Sequence, residues 1–240
     1  VARLAKRGTR GVVVITAGFG EGDDEKGLAL RQATLDAARP YLTRIIGPNC
    51  LGILVPEIGL NASFAHIAPP QGRLAFVTQS GAIVTSVLDW AAPRDIGFSH
   101  MISLGDMADV DFGDTLDYLA SDADTRAILL YVEAITDARK FMSAARAAAR
   151  MKPVIVVKAG RDAESAKAAA SHTGALAGAD AVYDAAFKRA GMLRVNTLGE
   201  LFAAVETLAT TEPPPGSRLA ILTNGGGIGV LATDALIGNG

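Results

Sequence analysis

Short, unbroken apolar runs, each followed by a small-residue turn and then a helix-like stretch, constrain this chain more than anything else in it. Residues 12–16, 73–78, 127–132 and 153–158 are such runs, apart from polar residues at their ends, and Phe98–Ser103 is a more polar strand of the same length. A run without polar alternation reads as a strand covered on both faces, because a strand with one wet face alternates apolar and polar positions. Helical stretches between successive runs require crossover connections, and crossovers make neighbouring strands parallel. The expected class is α/β, with helices on both sides of a parallel sheet. Aromatic residues are only 5% of the chain although half of it is hydrophobic, so Ala, Val, Leu and Ile fill the core.

In chain order, a strand at 12–16 leads to a loop at 17–24, a helix from about Glu25 to Arg39 stopped by Pro40, and a strand at 44–47. That is the spacing of a βαβ unit. Ala68-Pro-Pro-Gln-Gly72 reads as a linker, which places one domain over 1–70 and a second over 71–212. In the second, strands at 73–78, 98–103, 127–132 and 153–158 alternate with helices ending near Ala91 and spanning about 113–119, 138–150, 180–190 and 198–209. This is the rhythm of a flavodoxin-like, doubly wound domain. Thr211-Glu-Pro-Pro-Pro-Gly216 is a second linker, since prolines cannot continue a helix. A strand at 219–223 and a following helix would open a third unit over 216–240. Val1 without a methionine and the close on Gly238-Asn-Gly240 suggest a piece of a longer protein.

A balance of 23 basic against 25 acidic residues, with no long like-charge block, argues against nucleic acid or anionic membrane as the main partner. The single cysteine, Cys50, excludes an intrachain disulfide framework and suits a reducing compartment. No apolar run reaches membrane-span length and no signal peptide is visible, so a cytoplasmic location is expected.

Ligands of doubly wound sheets bind beyond the carboxyl ends of the strands. Four features fall there. Thr78-Gln-Ser80-Gly81-Ala82 and Thr223-Asn-Gly225-Gly226-Gly227 are small-residue turns feeding helix starts, where unpaired amides and the helix dipole favour an anion such as phosphate. Glu133 ends the apolar strand Ile128–Val132, where a charge gains nothing for folding. His172 lies among small residues in Ser171-His-Thr-Gly174, after the strand at 153–158, and a neutral imidazole is a competent nucleophile near pH 7. A carboxylate at 133 could hold one ring nitrogen of His172 and leave the other more nucleophilic. Each feature also has an ordinary reading, as turn residues, strand-end charge or solvated loop histidine. No metal-ligand spacing is visible.

Taken in order, Gly47-Pro-Asn-Cys-Leu-Gly52, Thr78-Gln-Ser-Gly81, Tyr131-Val-Glu133, Ser171-His-Thr-Gly174 and Thr223-Asn-Gly-Gly226 resemble the NDP-forming acyl-CoA synthetases, relatives of the succinyl-CoA synthetase alpha subunit and of ADP-forming acetyl-CoA synthetase. The resemblance implies a Rossmann-like CoA-binding part, then a flavodoxin-like domain, then the start of another. It implies that His172 carries a phosphoryl group, that Glu133 orients its ring, and that Ser80, Gly81, Ala82 and Gly225, Gly226, Gly227 hold phosphate. It places CoA against Ile15, Thr16 and Ala17, with its thiol near Asn49 and Cys50. The reaction implied interconverts acyl-CoA, phosphate and ADP with carboxylic acid, CoA and ATP. The ATP or ADP, with magnesium, would sit on an ATP-grasp domain or subunit outside this chain, in a homo- or hetero-oligomer. Gly105-Asp106 departs from the Gly-Asn commoner in the family, which bears on the acyl or phosphate contacts there. The competing readings are a non-catalytic acyl-CoA-sensing module of a protein-lysine acetyltransferase and, further off, a flavin or dinucleotide oxidoreductase domain. The last lacks a Gly-x-Gly-x-x-Gly fingerprint after its first strands.

Overall fold

The computed structural model describes residues 1–21, 24–161, 180–211, 216 and 218–238. Two compact units divide the chain, Val1–Thr210 and Thr211–Gly240. In the first, helix α1 (Ala2–Lys6) precedes a βαβ unit made of β1 (Gly11–Val13), α2 (Glu25–Ala38) and β2 (Arg44–Ile46). The two strands pair in parallel, with Val12 opposite Ile45. Asp24 starts α2 by accepting from the amides of Lys26 and Gly27, which satisfies two otherwise orphaned donors. Pro40 ends it as expected, in a 3-10 turn over Arg39–Tyr41.

The larger sheet has seven strands: β3 (Gly52–Val55), β4 (Leu60–Ser63), β5 (Gln71–Thr78), β6 (Phe98–Ser103), β7 (Ala127–Val132), β8 (Val154–Lys158) and β9 (Leu193–Val195), in the order β4-β3-β6-β5-β7-β8-β9. From β6 to β9 every pairing is parallel, and the order β6-β5-β7-β8-β9 is the flavodoxin 2-1-3-4-5 arrangement. Strand β5 shows why an unbroken apolar run was needed. Ala75 and Val77 point into one core with Phe112, Leu116, Phe141 and Phe187, whereas Leu74 and Phe76 point into the other with Val84, Leu88, Leu201 and Val205. Helices α3 (Gly81–Ala91) and α7 (Leu198–Thr210) therefore cover one face, and α4 (Phe112–Ser121), α5 (Ala138–Met151) and α6 (Asp180–Ala190) the other.

The structure departs from the expectations in two ways. Residues 52–63 form a hairpin, β3–β4, that pairs antiparallel onto β6, so the sheet is mixed and recruits residues from before the Pro69-Pro70 stretch. The hairpin was not read in the sequence because its strands are four residues each: Ile53-Leu-Val55 is a very short apolar run and β4, exposed at Leu60 and Asn61, has none. The strand expected at 219–223 is absent: these residues are irregular and Leu222 is fully exposed. A strand exists only through pairing, and the described part of the second unit offers no partner. The helix after it does form, as α8 (Gly226–Gly238).

Where the βαβ unit meets the larger sheet, residues 105–110 run alongside 45–48. The amides of Asp106, Ala108 and Val110 donate to the carbonyls of Pro48, Gly47 and Ile45 at 3.0 Å each. Gly105, with φ +57°, makes this approach possible, since a Cβ there would lie 2.1 Å from the Pro48 carbonyl oxygen. Charges complete the joint. Asp109 accepts from the Ile45 amide at 2.7 Å and pairs with Arg44, which also reaches Asp114.

Candidate functional site

A cleft of about 420 Å³ opens at the carboxyl ends of β5 and β7, against the joint with the βαβ unit. This is where strand order reverses in a sheet of this topology, and the crevice there is the ordinary ligand position. Its lining brings together Ile15, Asn49 and Cys50 from the first part with Ser80, Gly81, Ala82 and Glu133 from the second. All seven were singled out in the sequence from scattered places.

Each side of the cleft is shaped by local chemistry. Thr78 ends β5, and its Oγ1 accepts from the Ser80 amide at 3.0 Å and donates to the Ser80 carbonyl at 3.2 Å, which folds the turn tightly. Ser80 is the N-cap of α3, with extended backbone angles, yet its hydroxyl caps no helix amide. The start of α3 thus presents its amides at the cleft. Gly81 lets that start lie against the first part, because a Cβ at 81 would be 3.1 Å from the Cβ of Leu51. On the facing wall, Leu51 is anchored by its amide donating to Ser103 Oγ at 3.0 Å.

Glu133 is buried, with 8% of its surface exposed. Its main chain is held by a residue to which the sequence assigned no role. Gln79 Oε1 accepts from the amides of both Glu133 and Ala134, at 2.7 and 2.8 Å. One side chain thus fixes the separation between the β5 turn and the β7 end. The charge of Glu133 is felt nearby: burial and then that carboxylate hold the Tyr131 phenol above its usual value. Lys158, buried at the end of β8, is lowered chiefly by burial, against the attraction of Asp180 and Glu133.

Asp106 of the lining forms an acidic pair with Glu21. Glu21 takes the Gly18 and Phe19 amides at 2.9–3.0 Å. Burial alone would raise its carboxyl, but these amides and a bond from Asp106 hold it below the usual range. Asp106 goes the other way, pushed up to about 6 by burial and by Glu21, against the Asn49 amide and the Arg31 guanidinium. The Cys50 thiol, donating to the Val14 carbonyl at 3.4 Å, is pushed up to about 11, mainly by burial.

Not every expected residue joins the cleft. Thr16 and Ala17 are exposed and lie outside its lining, although the Thr16 carbonyl accepts from the Asn49 amide at 2.9 Å. His172 and its neighbours Ser171, Thr173 and Gly174 lie outside the described residues. Gly225, Gly226 and Gly227 belong to the second unit, where Thr223 Oγ1 accepts from the Gly225 amide at 3.0 Å and donates to its carbonyl at 3.2 Å. That turn repeats the Thr78–Ser80 geometry, so the likeness between the two junctions holds at the level of hydrogen bonds. Gln79, Phe64 and Thr85 line the cleft without having been foreseen, whereas Leu51 belongs to the Gly47–Gly52 motif. For Gln79 the only signal was a long polar side chain directly after a fully buried strand.

The sheet order and a cleft at its switch point, walled partly by a βαβ unit, define a doubly wound α/β protein with the ligand position usual for that class. The model for the succinyl-CoA ligase like flavodoxin domain matches residues 71–208. The alpha subunit of ADP-forming acetate–CoA ligase I from Pyrococcus furiosus is 45% identical over 230 residues, which are 96% of this chain and 50% of that one. ADP-forming acetate–CoA ligase from Methanocaldococcus jannaschii is 43% identical over 97% of this chain and 32% of its own length. The solved dinucleotide-forming acetyl-coenzyme A synthetase 1 of Ca. Korarchaeum cryptofilum, in complex with phosphate and ADP, superposes with a TM-score of 0.88 at 39% identity, over 98% of this chain and 51% of that one. The chain belongs to the ADP-forming (NDP-forming) acyl-CoA synthetase family. It spans about half the length, or less, of these relatives.

Proposed function

We propose that this chain supplies the acyl-transfer and phosphoryl-carrying half of an NDP-forming acyl-CoA synthetase. The observation that carries the reading is the cleft itself, where the α3 amides, the buried Glu133 carboxylate and the βαβ residues Ile15, Asn49 and Cys50 face one space. CoA would approach along the βαβ unit with its thioester toward Asn49 and Cys50. Cys50 itself is no nucleophile, since a thiol pushed up to about 11 carries little thiolate at neutral pH.

Phosphate held at Ser80–Ala82 attacks the thioester carbonyl; the C–S bond breaks, and acyl phosphate and CoA thiolate form. The thiolate takes up a proton on release. One ring nitrogen of His172 then attacks the phosphorus, and the carboxylate of the acid leaves. Glu133 accepts a hydrogen bond from the other ring nitrogen and stabilises the positive charge that develops on the ring. The phosphoryl group is then passed to ADP on an ATP-grasp domain or subunit, with Gly225–Gly227 as the second phosphate cradle. Magnesium would travel with the nucleotide.

Full-length protein incubated with labelled ATP and magnesium should become an acid-labile, base-stable phosphoprotein. His172→Asn should abolish the label without loss of folding, and Glu133→Gln should reduce it. Label persisting in folded His172→Asn would reject the assignment. No label in the parent protein would favour the non-catalytic acyl-CoA-sensing module.

A further inference from the structure

We propose that Asp106, in partnership with Glu21, is a charge gate in the cleft wall that sets the pH range over which the cleft accepts an anion. The inference rests on the reading of the cleft as a phosphate and acyl site, and adds a control on it.

The geometry is specific. Asp106 lines the same cleft as the Ser80–Ala82 turn, Asn49 and Cys50. It is not free to swing away. Its amide donates to the Pro48 carbonyl at 3.0 Å, and the Arg31 guanidinium donates to its carbonyl at 3.1 Å. Asn49 Nδ2 donates to its Oδ1 at 3.3 Å. Its carboxyl also meets the Glu21 carboxyl, whose oxygens accept from the Gly18 and Phe19 amides. Two carboxyls in such contact cannot both ionise without cost, so one of them holds its proton to higher pH. Glu21, stabilised as an anion by amides, keeps its charge, and Asp106 keeps the proton.

The consequence follows from the charges around the group. Among the described residues Arg31 on α2 is the cation acting on it, Glu21 comes from the loop after β1, Cys50 follows β2 and stays neutral, and Glu133 at the end of β7 lines the same cleft. With Asp106 protonated, an incoming anion meets the α3 amides and a neutral carboxylic acid. With Asp106 ionised, it meets a further carboxylate in the wall. The switch falls at about 6 in the unliganded protein, above the usual carboxylate range. An anion would in turn hold the proton on, so binding and protonation reinforce each other.

Sulfate is a suitable probe, because it is a tetrahedral dianion whose charge is constant over the range. Its affinity for the full-length protein, measured by calorimetry between pH 5 and 7.5, should fall by about tenfold as one negative charge appears within a few ångströms. Asp106→Asn, which keeps shape and hydrogen bonding without the charge, should flatten that fall. Glu21→Gln should move the midpoint to lower pH, because it removes the charge that keeps Asp106 protonated. An equal fall in the parent and in Asp106→Asn would mean another group titrates, and would overturn the gate while leaving the anion site standing. A flat parent profile would do the same. No sulfate binding by the parent at any pH would overturn both the gate and the reading of the cleft beneath it.

Discussion

Replacing Gln79 with leucine removes one acceptor and leaves the volume nearly unchanged. Gln79 is 7% exposed, and its Oε1 takes the amides of Glu133 and Ala134 at 2.7 and 2.8 Å. Ala134 is 4% exposed and Glu133 8%, so neither amide has easy access to bulk solvent. An orphaned buried donor costs about 1–3 kcal/mol, which gives about 2–6 kcal/mol for two. Water entering from the cleft could reach part of the way, and the lower half of that range, about 2–4 kcal/mol, is the expected loss. Gln79→Glu keeps an oxygen in place and should lose less than half as much. Native-state hydrogen exchange reads the two amides directly: both should exchange about tenfold faster or more in Gln79→Leu. With the β7 end released, the yield of phosphoprotein should fall as well. If the Leu and Glu variants are equally destabilised, packing rather than the acceptor is at work. If amides 133 and 134 keep their protection in Gln79→Leu, the link between the two strand ends is not what holds Glu133.

Three further outcomes follow from the same geometry. Gly105→Ala should cost about 2–4 kcal/mol, from a positive φ and from parting residues 105–108 from 47–48, seen as a lowered urea midpoint. Asp106, with its carboxyl raised to about 6, contributes stability that is full below the unfolded value of about 3.9 and is lost as pH rises through 6; allowing for solvent screening, Asp106→Asn should gain about 1–2 kcal/mol on the parent between pH 4 and 7 by urea titration. Cys50 in the native protein should resist a neutral-pH alkylating reagent, reacting roughly a hundredfold more slowly than a free thiol, and become reactive on unfolding, read by mass spectrometry.

The parallel core was legible because strands covered on both faces are largely apolar, as Leu74–Val77 shows, and because helix-length stretches alternate with them. The turn at 78–82 and the charge at 133 were legible because they break that pattern at strand ends. Pairing left less trace. The β3–β4 hairpin and the three-residue β9 are defined by their neighbours rather than by their own residues. The expected strand at 219–223 has the right composition and no partner, so composition misled there. The role of Gln79 and the pairing of Asp106, itself noted as a departure from the family's Gly-Asn, with Glu21 were beyond sequence for a related reason: they come from groups more than fifty residues away in the chain.

The hairpin bears on how this protein can be divided. It leaves the cleft wall at Leu51 and goes straight into the sheet, covering the edge of β6. The stretch around Pro69-Pro70 looks like a seam in sequence, yet chain on both sides of it builds one sheet. A cut there would leave an upstream piece with Leu51 and Leu54, now almost fully buried, exposed on an unsupported hairpin. The downstream piece would carry β6 as an open edge, a template for pairing with other chains. Modularity in this protein therefore does not follow its prolines: the Pro69-Pro70 stretch is a strap across one folding unit, and halves separated at that point should be recovered only when they are made together.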